Sequence, residues 1–296
     1  MVSKLTVASH RAVDSALVAK LRRLPAYLTA KIQGQDHALL RIASVLTRGE
    51  LGLSNPRRPR GSFLFVGPTG VGKTETTVVF TEYLFGLKPI RFDMSEYQLQ
   101  KSVDRLLGER ADDPGFLGRA LRGVARGTLL FDEVEKAHPL VLDLFLQILE
   151  DARITLATGD TLDLSGFYIV CTSNIGSSET MRMESAPFAS VERTVIMRVR
   201  EHLRPELVGR VNEIVVFTRL DYATLRAICE TMIAKECARL SALGYPIDLC
   251  ADVLESIVRE GYDRMLGARP MRAAVERFLQ QSVSASLLAE ELTWER

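Results

Sequence analysis

A parallel, doubly wound α/β sheet followed by a small all-helical domain is the architecture the sequence predicts. Three observations predict it. Short apolar runs without polar alternation recur between residues 62 and 217, as strands covered on both faces require. Helical patterns separate these runs, which argues for crossover connections and a parallel sheet. After Phe217 the strand signals stop, and the chain reads as helices broken at Gly244, Pro246, Gly261, Gly267 and Pro270.

The elements follow in order. "MVSKLTVASHRAVDSALVAKLRRLP" is charged, lacks the apolar centre of a signal peptide and reads as an amphipathic helix. "NPRRPRG" (Asn55–Gly61) is a basic turn before the first strand, "SFLFVG" (Ser62–Gly67). A glycine loop and a helix to about Phe85 come next. "PIRFDM" (Pro89–Met94), "RGTLLFDE" (Arg126–Glu133), "FYIVCTSN" (Phe167–Asn174) and "EIVVF" (Glu213–Phe217) supply four more strands. "HPLVLDLFLQILEDA" (His138–Ala152) is a helix, and Asp151–Gly166 reads as a hairpin. The expected divisions are a helical extension at 1–24, a large α/β domain at 25–217 and a small helical domain at 218–296.

Composition narrows the function classes. Hydrophobic residues at 47% and charged residues at 25% fit a globular chain of 296 residues. A formal net charge of +1 provides no global field for nucleic acid or an anionic membrane, so neither is an expected partner. No apolar run has the length of a membrane span. Cys171, Cys229, Cys237 and Cys250 form no CxxC pair, which argues against structural zinc and a disulfide framework and fits a reducing cytoplasm.

"GPTGVGKT" (Gly67–Thr74) follows a strand and opens a helix, the context that gives a phosphate-binding loop its meaning. Gly67, Pro68, Thr69, Gly70, Val71 and Gly72 would turn backbone N–H groups toward the phosphates of ATP, with the helix N-terminus adding its dipole. Lys73 would meet the β- and γ-phosphates, and the Thr74 hydroxyl would ligate Mg2+. "LLFDE" (Leu129–Glu133) is the matching acidic strand end. Asp132 would hold the Mg2+ through water, and Glu133 would orient the attacking water. An adjacent Asp-Glu pair points to hydrolysis rather than nucleotide storage. Asn174, at the end of the fourth strand, has two readings: an amide that positions water or touches the γ-phosphate, or a turn residue.

With these motifs in place the chain resembles the Clp family of AAA+ ATPases, specifically the second ATPase module of ClpA and ClpB. "KIQGQDHAL", "RRPRGSFLFVGPTGVGKTE", "RFDMSEY", "DEVEKAHP", "TSNIG", "LRPELVGRVNEIVVF" and "GARPMRAAV" are similar to family signatures and stand in family order between about Ile32 and Leu279. The resemblance implies that Ile32 and Gln33 line the adenine pocket and that Asn174 is the first sensor. It implies that Arg210 is an arginine finger reaching a neighbouring subunit's nucleotide, and that Arg269 is the second sensor. It also implies a small lid domain after the AAA+ module and a self-assembled ring, a hexamer, acting on a protein substrate. Arg204 matches a family position without a defined role.

Two segments depart from the family pattern. The interval before the acidic strand contains "GERADDPGFLG" (Gly108–Gly118), where unfoldases of the family carry an aromatic pore loop. Phe116 is a pore aromatic in a rearranged loop, or a core residue of a helix begun by Asp113 or Gly115. In the second reading Pro114 sits in the first turn, and Phe116, Leu117, Ala120, Leu121 and Val124 form the core face; register from Asp132–Glu133 favours it. The segment after Asn174 lacks the tripeptide that docks a peptidase, so no peptidase partner is expected. The resemblance covers one ATPase module, and no amino-terminal substrate domain is expected from it. Two functions therefore stand: a ring ATPase that remodels proteins, and a non-threading switch or scaffold whose ATP-dependent assembly organises a protein partner or DNA-linked complex.

Overall fold

The computed structural model describes residues 14–184, 186–247, 251–263 and 266–294. The first part of the expected N-terminal helix and Cys250 lie outside the described residues. Helix α1 (Ser15–Lys31) starts at Asp14, whose side chain accepts the Ala16 N–H, and runs through Pro25. Leu21, Leu24 and Leu28 on α1 enter the same core as α2 (Asp36–Glu50).

Five strands follow the expected runs closely: β1 (Gly61–Val66), β2 (Ile90–Asp93), β3 (Gly127–Asp132), β6 (Phe167–Ser173) and β7 (Glu213–Val216). Their order is β2-β3-β6-β1-β7 and every pairing is parallel. Every residue of β1, β3 and β6 is buried, which explains the missing polar alternation. Side chains alternate between two layers. Phe63, Phe65, Leu130, Tyr168 and Val170 face α1, α2 and α3 (Lys73–Phe85). Leu64, Val66, Leu129, Phe131, Ile169 and Cys171 face α6 (Pro139–Asp151) and α8 (Phe188–His202). Each large side chain so buried contributes about 1.5–3 kcal/mol, so the sheet is fixed in position by both layers.

Register brings the strand ends together. Val66 stands opposite Ser173 and Val216, and Asp93 opposite Asp132. The carboxyl edge of such a sheet is where α/β proteins open a ligand crevice.

Between β2 and β3 lie α4 (Ser102–Leu107) and α5 (Gly115–Leu121). The loop joining them is closed on itself. Asp113 Oδ1 accepts the Gly115 N–H at 2.9 Å and an Arg119 N–H at 2.8 Å. Gly108 has φ 102°, and a Cβ there would lie 1.9 Å from the Asp113 carbonyl oxygen, so only glycine fits. Pro114 occupies the position before α5 rather than its first turn. Leu117 and Leu121 are buried, and Ala120 and Val124 pack at the core margin. Phe116 corrects the expected core face. It remains 42% exposed, with its ring edge-on to Phe92 at 5.6 Å. One helical step separates it from Leu117, which takes the inward direction.

The hairpin β4 (Arg153–Thr155) and β5 (Thr161–Asp163) forms as expected. Ile154, Leu156 and Leu164 are buried, and the Ala157 N–H donates to Leu107 O at 3.0 Å. The remaining helices of the sheet region are α7 (Ser177–Arg182) and α9 (Pro205–Arg210). From there α10 (Tyr222–Ala242), α11 (Ala251–Gly261) and α12 (Arg269–Trp294) form a core of their own around Cys229, Ile233, Ile257, Met271, Val275 and Leu279. Asp221 caps α10 by accepting the Thr224 N–H at 2.7 Å.

Candidate nucleotide site

The loop Gly67–Thr74 connects β1 to α3 at the carboxyl edge of the sheet. Lys73 is the first residue of α3 and is only 8% exposed. Its ammonium donates to Gly67 O at 2.5 Å, Pro68 O at 2.8 Å and Asn174 Oδ1 at 3.0 Å. Burial pulls its pKa down to about 8, opposed by the carboxylates of Glu135, Asp132 and Glu133. A lysine so placed is a confined positive charge facing the loop.

Asp132 ends β3, and its carboxylate is fully engaged. Oδ1 accepts the Thr172 hydroxyl. Oδ2 meets Arg91 Nη2 at 2.6 Å and the Thr74 hydroxyl at 3.5 Å. Glu133, one residue on, is in the left-handed region at φ 58° and ψ 52°. Non-glycine residues pay for that conformation, so something must hold it. Thr172 does so by accepting the Glu133 N–H at 3.1 Å. The turn swings the Glu133 side chain toward β6, where Oε1 accepts Asn174 Nδ2 at 3.0 Å and Oε2 pairs with Lys136 at 2.5 Å.

Asn174 thus joins three parts of the site. Its Oδ1 accepts from Lys73 and from the Thr69 hydroxyl at 3.3 Å, its Nδ2 donates to Glu133, and its backbone N–H donates to Glu135 at 3.0 Å. The Asn174 carbonyl also accepts the Ser177 N–H and hydroxyl, so it is a turn residue as well.

Ile32 is buried within van der Waals reach of the loop, 3.7 Å from where a Cβ on Gly72 would stand. Gln33 is half-buried and its amide lies 3.5 Å from the Thr231 hydroxyl on α10. Sequence reasoning missed Gln35, two residues on. It is fully buried and donates to Val71 O at 3.4 Å and Thr218 O at 2.8 Å, while accepting the Thr218 N–H at 3.1 Å. It thereby pins the phosphate loop to the start of the helical region. Thr172 and Arg91 were missed too. The polar "TSN" after an apolar strand was the available signal for Thr172.

The helical region reaches the loop at its other side. The Ala268 N–H donates to Gly70 O at 3.1 Å. Gly70 has φ 74°, and a Cβ there would lie 1.9 Å from Leu266 O. Arg269 begins α12 directly beside this contact and is exposed. Arg210 lies outside the network around Lys73. It ends α9 and pairs with Glu150 on α6 at 2.9 Å. Arg204 pairs with Asp143.

The residues present fit a nucleotide with magnesium. A glycine-bearing turn, a helix N-terminus and a buried ammonium converge where phosphates bind. Thr74 and Asp132 offer hard oxygen donors to the same side, the ligand type Mg2+ takes. Together these define a P-loop ATPase of the AAA+ class.

Residues 58–214 match the family model described as "AAA domain (Cdc48 subfamily)", and residues 220–296 match the model "C-terminal, D2-small domain, of ClpB protein". The chain belongs to this AAA family, with the organisation of a Clp-type second module. It is 39% identical over 282 residues to heat shock protein 100 of Trypanosoma brucei brucei, covering 92% of this chain and 32% of that protein. It is 36% identical over 292 residues to the ClpA homolog of Porphyra purpurea, an ATP-dependent Clp protease ATP-binding subunit, covering 92% and 36%. Among solved structures, a closed-state reconstruction of Hsp104 with ATPγS and FITC-casein matches with a TM-score of 0.84 and 32% identity, over 94% of this chain and 50% of that one. The chain thus spans about a third of these curated relatives. Among the described residues no helix is long and apolar enough to cross a membrane.

Proposed function

We propose that this chain is the ATP-hydrolysing part of a ring, hexameric as the family resemblance implies, that remodels protein substrates in the cytoplasm without a peptidase. The observation that carries the hydrolytic reading is the Lys73–Asn174–Glu133 network: one amide ties the phosphate-facing ammonium to the carboxylate that would orient water. In this reading residues 25–217 form the nucleotide-binding domain and 218–296 the lid, with the segment before them a helical extension. The separate core of α10 to α12 supports that division.

The backbone N–H groups of Gly67–Gly72 and the Lys73 ammonium bind the phosphates, while Ile32 and Gln33 flank the base. Thr74 and Asp132 hold magnesium, which when bound neutralises charge on the β- and γ-phosphates. Glu133 takes the water proton or orients the water, and Asn174 keeps its carboxylate turned toward the phosphate. Arg269 meets the nucleotide from the lid. Arg210 serves the neighbouring copy, which accounts for its place outside the network of its own chain. Protein remodelling is supported by the kinship to heat shock protein 100 and ClpB. The absent docking tripeptide argues against a peptidase, although the ClpA homolog among the relatives is a protease subunit. One observation favours the scaffold alternative: the Gly108–Gly115 loop is closed by Asp113 and presents charged residues rather than an aromatic tip.

The test is complementation between two inactive variants. Glu133→Gln and Arg210→Ala should each lose turnover, by about a thousand-fold for the arginine. Mixed, they should recover part of it, because some interfaces pair an intact Glu133 with a neighbour's intact Arg210. Normal turnover by assembled Arg210→Ala alone would refute the trans role. ATP-driven unfolding of a tagged fluorescent protein separates remodelling from the scaffold reading.

A further inference from the structure

Arg91 is assigned no task by the reading above, yet it touches the centre of the site. It lies on β2, where register sets it opposite Leu130 and sets Asp93 opposite Asp132. Its side chain therefore reaches diagonally toward the strand ends, and Nη2 stops 2.6 Å from Asp132 Oδ2. That oxygen is the one 3.5 Å from the Thr74 hydroxyl. A side-chain cation thus stands on the oxygen that, with Thr74, faces the incoming metal.

We infer that Arg91 is an internal counter-ion for the magnesium site, neutralising Asp132 in the nucleotide-free protein and leaving that oxygen when magnesium arrives with nucleotide. The inference rests on the assignment of Thr74 and Asp132 to magnesium. The two partners differ in freedom, which supports an exchange. Asp132 is held at its other oxygen by Thr172 and is nearly buried, so it cannot follow the guanidinium. The Arg91 side chain is 53% exposed, so swinging out breaks one ion pair and buries nothing. A second resting place lies on its own strand: Asp93 shares its face, two residues along, and already feels its charge.

The arrangement makes opposite demands with and without the metal. With magnesium absent, Arg91 screens Asp132 from the phosphates and favours nucleotide. With magnesium present, it competes for the same oxygen. Arg91 is thus a positioning residue that acts through Asp132.

The experiment titrates a fluorescent ADP analogue against wild type, Arg91→Met and Arg91→Lys, in chelator and across free Mg2+ concentrations, with thermal melts to compare folding. For Arg91→Met the Mg2+ concentration giving half the effect should fall about fivefold, the range of a partly exposed ion pair. Its binding in chelator should weaken, and Arg91→Lys should return both quantities toward wild type. An unchanged or raised Mg2+ midpoint in Arg91→Met overturns the inference. An equal loss of binding with and without Mg2+ also overturns it, since that marks a purely structural role. If wild type itself binds without regard to Mg2+, the magnesium assignment fails and the inference falls with it.

Discussion

Thr172→Val removes one hydroxyl while keeping the shape of the side chain. That hydroxyl is almost fully buried and serves two neighbours: it donates to Asp132 Oδ1 and accepts the Glu133 N–H at 3.1 Å. Without it the Glu133 amide has lost its acceptor in a partly buried place, at a cost of about 1–3 kcal/mol, and Asp132 loses a hydrogen bond worth about 1.5–3 kcal/mol. Part of this is recovered if Glu133 abandons its left-handed backbone, which itself costs roughly 1–2 kcal/mol. The net expectation is a loss of about 3 kcal/mol, or about 1 M in urea midpoint for a slope near 3 kcal/mol/M. Relaxation of Glu133 would pull its carboxylate off Asn174, so kcat should fall by more than KM changes. Thr172→Ser keeps the hydroxyl and separates the bond from the packing: it should retain turnover and most of the stability. Urea unfolding and steady-state ATPase assays on the three proteins check this. Wild-type midpoint and kcat in Thr172→Val would refute the claim that this hydroxyl holds the Glu133 turn.

Three further outcomes come from the loop itself. Gly70→Ala should loosen the helical region from the phosphate loop, because the left-handed backbone costs about 1–2 kcal/mol and the new Cβ would collide with Leu266 O; hydrogen exchange at the Ala268 amide should accelerate roughly tenfold, and unchanged exchange would contradict the contact. For Lys73, a folded pKa of about 8 against an ordinary 10.5 means the unfolded chain holds more protons between those values, so the nucleotide-free protein gains stability as pH climbs through that window. Nucleotide affinity runs the other way: the charged fraction of Lys73 falls from about nine-tenths at pH 7 to about one-tenth at pH 9, so the Kd for ADP should rise about tenfold. Calorimetry in buffers of different ionisation enthalpy should show proton uptake at pH 9, and a flat affinity without uptake would contradict the burial of the ammonium.

The fold was largely legible in the sequence because its signals are local. A strand buried on both faces must be apolar throughout, and such runs mark β1, β3 and β6; the edge strands β2 and β7 are only partly buried, yet all five lie within a residue or two of the expected runs. The phosphate loop was legible for the same reason: eight consecutive residues carry the turn, the ammonium and the hydroxyl. Phe116 was not. Helix periodicity assigns it to an apolar face, but a helix of only 7 residues packs one narrow stripe, and Leu117 and Leu121 fill it. The hairpin was visible as a hairpin, while the burial of Leu156 depended on α5 lying beneath it.

By itself the sequence made legible the parallel sheet, the helical region after Phe217 and the loop and strand end that carry Lys73, Thr74, Asp132 and Glu133. The four site residues stand within a loop or at a strand end, where spacing along the chain equals proximity in space, and the sheet and helices were legible from patterns local to each element. Tertiary structure alone decided that Arg91 meets Asp132, that Thr172 props up Glu133, that Gln35 bridges Val71 and Thr218, and that Ala268 rests on Gly70. Those partners are 41, 39, 36, 183 and 198 residues apart in the chain for Arg91–Asp132, Thr172–Glu133, Gln35–Val71, Gln35–Thr218 and Ala268–Gly70. Strand order and register bring them together, and both are settled only when the two layers of helices close on the sheet and bury its central strands β1, β3 and β6.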